Sequence, residues 1–209
     1  MTRLLLASAS PARRATLLAA GIEPLVAVSQ VDENAVLAAA GPLAPAEAVL
    51  TLARAKAQDV TGTQPLADAP GLVVLGCDSM LEFDGEVLGK PSGAGEATAR
   101  WRAMRGRAGV LHTGHWLVDA RTGASSSAAV GATASTTVWF ADLTDDEIDA
   151  YVATQEPLRV AGAFTVDGLG GPFVERIEGD HHNVVGLSLP VLRHLLASLG
   201  VTIPELWAR

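Results

Sequence analysis

The sequence predicts an α/β fold, a mixed central sheet flanked by helices, and three observations carry that prediction. RLLLA followed by SPARRATLLAAG is a strand, loop and helix unit, with Ser10 as N-cap, Pro11 at the first helical position and Gly21 at the end. GLVVLGCD is a continuous apolar run ending in an acid, the pattern of a central strand covered on both faces. VLHTGHWLVDA and ATASTTVWFADL are long strand patterns joined by a turn around Arg121 to Ser127, which adds antiparallel pairing and makes the sheet mixed.

The remaining elements follow in order. EPLVAVS predicts a second strand and VDENAV a turn or helix start. Residues 45 to 60 predict a helix, because Val49, Leu52, Ala53, Lys56 and Val60 recur at helical spacing. MLEFDGEVLG alternates around Asp84 and Gly85, a hairpin signal. A helix rich in Arg and Glu is expected over 94 to 106, and Thr144 before DDEIDAYVAT caps another, with acids in its first turn. AGAFTVDGLGGPFVERIEGDHHNVVGLSLP is glycine-dense and reads as irregular, with one strand at PFVERI, before the closing helix LPVLRHLLASLG. With neither an internal repeat nor a long low-complexity linker, residues 1–209 are expected to form one domain.

Composition narrows the function. A net charge of −8 excludes a broad basic surface, so no polynucleotide partner is expected, and a phosphate ligand must be met by a few local cations. No apolar stretch approaches the ~20 residues that span a bilayer, so no membrane partner is expected, and the location is read as cytoplasmic. The single cysteine, Cys77, excludes an intrachain disulfide and fits a reducing compartment, with Cys77 itself a small core residue.

Among 15 basic residues only Lys56 and Lys90 are lysines. Lys56 falls on the inward stripe of its helix, where an ammonium needs an anion, and Lys90 closes the hairpin run a few residues from Asp78. The plain alternative is a flexible stem reaching water in each case. In SASPARR, Arg13 and Arg14 sit in the first turns of a helix and oppose its dipole, an arrangement that becomes favourable when the helix start, the hydroxyl of Ser10 and a guanidinium hold an anion. Asp78 stands at the carboxyl end of the most apolar strand, where open α/β sheets place ligands, and suits a base or metal ligand; a turn cap is the ordinary alternative. Asp32 and Glu33 follow the second strand and can bring another carboxylate for an oxygen-liganded ion. His112, His115, His181 and His182 lack metal-pair spacing and read as surface or loop-packing residues, and the scattered tryptophans as core or dimer contacts.

ASASPARR, VDE, LARAKA, GCDSM with the later LGKP, GRAGVLHTG and the final glycine-dense segment occur in the order seen in the Maf family of nucleoside triphosphate pyrophosphatases, once called septum formation inhibitors. The chain resembles that family nearly end to end. The resemblance implies an elongated fold with a central cleft, related to the house-cleaning inosine triphosphatases, and dimers are common among its members, so a homodimer is one expected assembly. It maps the catalytic aspartate to Asp78, the phosphate-binding and cleft residues to Ser8, Arg13, Lys56 and Lys90, and a metal partner to Glu33. The first arginine of the family's P-R-R pattern is Ala12 here.

The resemblance, with these residues, implies hydrolysis of a nucleoside triphosphate to the monophosphate and pyrophosphate, in nucleotide-pool house-cleaning. Mg²⁺ or Mn²⁺ would be held by Asp78 and Glu33, and the cations would neutralise the leaving pyrophosphate. The alternatives are nucleotidyl transfer and a catalytically weak nucleotide sensor acting on septation. Where the pyrimidine-acting branch of the family carries Thr and Gln, this chain has Ser79 and Asp167, so Asp167 is the candidate reader of the base.

Overall fold

Buried on both faces, as its composition requires, the apolar run after Gly71 forms β3 (Leu72–Phe83), with every residue from Leu72 to Asp78 out of solvent. This is a computed structural model that describes residues 2–61, 71–121 and 128–208. β1 (Arg3–Leu6) lies parallel to β3, Leu5 opposite Val74, and parallel to β2 (Leu25–Val26) on its other side. Helix α1 (Pro11–Ala19) makes the crossover from β1 to β2. Helices α2 (Glu33–Ala40) and α3 (Pro45–Thr61) lead into β3. β4 (Glu86–Leu88) folds back antiparallel on β3 through Asp84 and Gly85, whose φ angles of 53° and 80° are the paired positive values a tight hairpin turn demands.

Helix α4 (Ala94–Met104) precedes β5 (Ala108–Ala120) and β6 (Ala129–Phe140). Then come α5 (Asp145–Ala153), β7 (Val174–Glu178), the short α6 (His181–Val185) and α7 (Leu189–Ser198). The strand order is β2-β1-β3-β5-β6-β7 with β4 on β3, and β6 and β7 pair antiparallel, so the sheet is mixed as expected. Thr144 caps α5 in a reciprocal box with Glu147. Among the described residues no helix is long and apolar enough to cross a membrane.

Four local expectations need correction. The central strand does not end at Asp78: the apolar run and the first arm of the hairpin form one continuous strand to Phe83, so Asp78 lies within it. The second strand is only Leu25–Val26, because beyond it the chain leaves the sheet: the Ser29 hydroxyl and the Gln30 amide both donate to the Asp59 carboxylate at 2.9 Å. His181 and His182 open a helix instead of lying in an extended loop. His112 and His115 are buried rather than at the surface. His112 bridges Ser135 Oγ and Glu82, and His115 Nε2 accepts the Ser188 amide. The turn placed around Arg121 to Ser127 lies outside the described residues from 122 onward.

The chain divides into two compact units, Met1–Asp78 with Thr113–Ala134 and Gly186–Arg209, and Ser79–His112 with Ser135–Val185. In the first, alternation along the strands fills two layers. Leu4, Leu6, Val73 and Leu75 pack with Leu17 of α1 and Leu192 and Leu196 of α7, while Leu5, Ala7 and Val74 pack with Ala57 and Val60 of α3. The second unit is built around Trp101, edge-on to Phe140 and Tyr151, with its indole N–H donated to the Ala163 carbonyl at 2.8 Å.

Helix α3 sits on the sheet of the first unit at two glycines. A Cβ at Gly76 would collide with the Ala53 carbonyl and lie 2.8 Å from the Ala57 amide, and one at Gly114 would collide with the Val49 carbonyl. Backbone therefore meets backbone, and any side chain there must push the helix outward. Gly76→Ala is expected to cost about 1–3 kcal/mol or more of stability, read as a lower urea midpoint; an unchanged midpoint would show that the seat can yield.

Candidate functional site

The segment between β1 and α1 is organised by its two serines. Ser10 is extended (φ −68°, ψ 116°), caps α1 by accepting the Arg13 amide at 3.4 Å, and hands over to Pro11 at the first helical position. Ser8 Oγ accepts the Ser10 amide and Nη1 of Arg13, each at 3.2 Å. The Arg13 side chain does not point along the helix into water: it is 9% exposed, Nε donates to the Gly186 carbonyl at 2.8 Å and Nη1 to the Cys77 carbonyl at 2.9 Å. Arg13 thus ties the start of α1 to the middle of the central strand and to the segment entering α7, with its charge beside Asp78. Arg14 is exposed.

The close seat of α3 on Gly76 decides what Lys56 can reach. Val49, Leu52, Ala53 and Val60 of its stripe are fully buried, and Lys56 continues that stripe over the middle of β3. There its ammonium is 2.5 Å from Asp78 Oδ1 and 2.7 Å from Glu33 Oε1. The exposures grade outward, with side chains 9% exposed at Asp78, 14% at Lys56 and 51% at Glu33. Glu33 is delivered by the first residue of α2, which Asp32 caps through the Ala35 amide at 3.0 Å. The loop leading to it is held by Asp59, one turn beyond Lys56 on α3. Sequence reading passed over Asp59, a polar residue that looks solvated until the loop closes on it.

Burial pushes the Asp78 carboxyl above its ordinary value, against the opposing charges of Lys56 and Arg13 and the lysine hydrogen bond. A carboxylate in that state accepts a proton more readily than one in water, as a general base requires. The neighbouring Cys77 thiol is pushed up to about 12 by burial and stays protonated, a core residue as its context suggested. Lys56 supplies a compact point charge within one hydrogen bond of both carboxylates.

Ser8, Ser10, Arg13, Glu33, Lys56 and Asp78 are therefore brought together in the first unit. Lys90 and Asp167 belong to the second and are both exposed. Lys90 follows Gly89, whose carbonyl is fixed by the Gly162 amide at 3.1 Å and by Arg100 Nη1 at 2.6 Å. Asp167 lies in a loop gathered by Glu156, a second residue that sequence reading missed. Among the described residues no group of three or more His, Cys, Asp or Glu is placed for a metal ion. The Asp78 and Glu33 pair, two hard oxygen donors already converging on one cation, suits a magnesium-type ion whose other ligands are water and phosphate.

Comparison with known proteins adds a family. The sequence profile described as Maf-like protein matches residues 3–199. A protein of Salinispora tropica named nucleoside triphosphate pyrophosphatase is 60% identical over 208 residues, covering 99% of this chain and 88% of its own length. Proteins of the same name from Streptomyces coelicolor and Leifsonia xyli are 58% and 57% identical, each covering 99% of this chain and 95% and 97% of their own lengths.

Proposed function

Because the chain belongs to the Maf family, we propose that it hydrolyses a nucleoside triphosphate to the monophosphate and pyrophosphate by attack of water on the α-phosphorus. The observation that carries this reading is Lys56 clamped between Asp78 and Glu33. An ammonium held by two carboxylates can turn its N–H groups to arriving phosphate oxygens, which leaves Asp78 free to accept the proton of the attacking water. As the new P–O bond forms, the bond from the α-phosphorus to the bridging oxygen breaks, and its electron pair leaves with pyrophosphate. Lys56 stabilises that growing charge, the α1 start with Ser8, Ser10 and Arg13 positions the phosphate chain, and Lys90 is proposed as a further substrate-binding residue. Asp78 and Glu33 would hold a divalent ion, which when bound supplies charge neutralisation at the phosphate oxygens. Asp167 is the residue proposed to read the base, since a carboxylate accepts hydrogen bonds from an N–H edge and repels a carbonyl.

Hydrolysis in ¹⁸O-water tests the reading. The expected result is one pyrophosphate per turnover with the label in the monophosphate, turnover stopping on chelation of divalent ions and returning with Mg²⁺ or Mn²⁺. Nucleoside diphosphate and orthophosphate as products would overturn it.

A further inference from the structure

Glu156 is the acceptor for an unusual number of donors. Thr165 Oγ1 donates to Oε1 at 2.6 Å, and the Tyr151 hydroxyl to the same oxygen at 3.0 Å. The Leu169 amide donates to Oε2 and the Gly170 amide to Oε1, both at 3.1 Å. Burial works to raise its carboxyl, and these hydrogen bonds outweigh it and hold the group below its ordinary value, ionised at neutral pH. The loop is shaped around this carboxylate: a Cβ at Gly168 would lie 2.6 Å from Glu156 Oε2, and one at Gly170 would collide with the Tyr151 hydroxyl. The Gly171 amide further fixes the Gly168 carbonyl at 3.1 Å.

With Thr165 pinned at one end and Gly168, Leu169 and Gly170 at the other, Val166 and Asp167 form the short arch between the two fixed ends. Leu169, two residues on, is 59% exposed, with its amide held by Glu156. A loop that merely crossed a surface would not need an ionised anchor beneath it. A group that reads hydrogen-bond donors must hold its place within roughly 0.5 Å, and a loop achieves that only when a second set of contacts locks it.

We infer that Glu156 is a positioning residue for base recognition: it clamps loop 165–171 so that Asp167, with Leu169 as an apolar neighbour, is presented to the nucleobase in one fixed pose. The inference rests on the proposed role of Asp167. Glutamine at 156 would place an NH₂ against one of the amide or hydroxyl donors, so one end of the arch must come loose while the side-chain volume is kept.

The test combines hydrogen exchange with a panel of nucleoside triphosphates. In the wild type the Leu169 and Gly170 amides should exchange slowly although their loop is at the surface; fast exchange there overturns the clamp without reference to any activity. In Glu156→Gln that protection should fall, and the ratio of kcat/KM between the best and second-best nucleotides should shrink by ~10-fold, mainly through KM, with kcat on the best nucleotide within ~3-fold. Tyr151→Phe, which keeps the ring in the core and removes one donor, should move the same ratio in the same direction by less, and serves if Glu156→Gln does not fold. A purely structural anchor would lower activity on all nucleotides alike and leave the ratio unchanged, which overturns the inference. If Asp167→Gln changes the ranking and Glu156→Gln does not, the base reading survives and the clamp falls. If neither changes it, the role of Asp167 falls as well.

Discussion

Asp78→Asn is expected to lower turnover by ~10²-fold or more while leaving the protein at least as resistant to heat. The amide keeps the shape of the carboxyl and removes its capacity to take a proton, so the loss should appear in kcat. The stability sign follows from burial. Because the folded protein holds the Asp78 proton more tightly than the unfolded chain does, folding takes up a proton between the ordinary value of 3.8 and the raised one. That contribution to stability is present below this window and is lost as pH rises through it. A neutral asparagine avoids the loss, so its melting temperature at neutral pH should equal or exceed the wild type's, with a flatter pH dependence. Turnover of the wild type should rise as pH climbs through the same window. Near-normal kcat in the variant would move the base elsewhere, with Glu33 the next residue to test.

Lys56→Arg should be nearly as damaging although the charge is kept. The ammonium fits between two oxygens at 2.5 and 2.7 Å in a place with 14% exposure. A planar guanidinium is wider and pairs side-on with one carboxylate, so it must either displace α2 with Glu33 or give up Asp78. Misplacement of the phosphate chain on the order of 1 Å costs ~10²-fold in rate. Arg102→Lys, at an exposed ion pair with Asp145, is the control and should be neutral. Wild-type activity in Lys56→Arg would mean that position 56 needs only a positive charge, and that the scarcity of lysine in this chain has no bearing on catalysis.

Much of this site was legible because it follows local rules. A 3.6-residue period put Lys56 on a buried stripe, a continuous apolar run put Asp78 in a covered strand, although that strand runs on past it to Phe83, and Ser10 before Pro11 announced a helix start. What the sequence left unseen has a common origin. Arg13 reads as a cation for an incoming anion, and the sequence does not show that carbonyls from residues 77 and 186, remote in sequence, also take two of its donors. Asp59 and Glu156 drew no notice in the sequence, yet Asp59 accepts the Ser29 hydroxyl and the Gln30 amide, and Glu156 the Leu169 and Gly170 amides. Such partnerships leave no period and no motif, since a polar side chain that anchors a loop is spelled like one that faces water. The shortness of β2 has the same source, as the loop held by Asp59 draws the chain out of the sheet.

The seat of α3 on Gly76 and Gly114 has an evolutionary consequence. Contacts between side chains can be exchanged for others of similar volume, so most helices drift over their sheets as sequences diverge. A helix whose main chain rests on the main chain of two strands has no such freedom, because neither surface can be substituted away. The position of the Lys56 ammonium therefore depends on two residues that have no side chain at all, and on the small Ala57 that faces one of them.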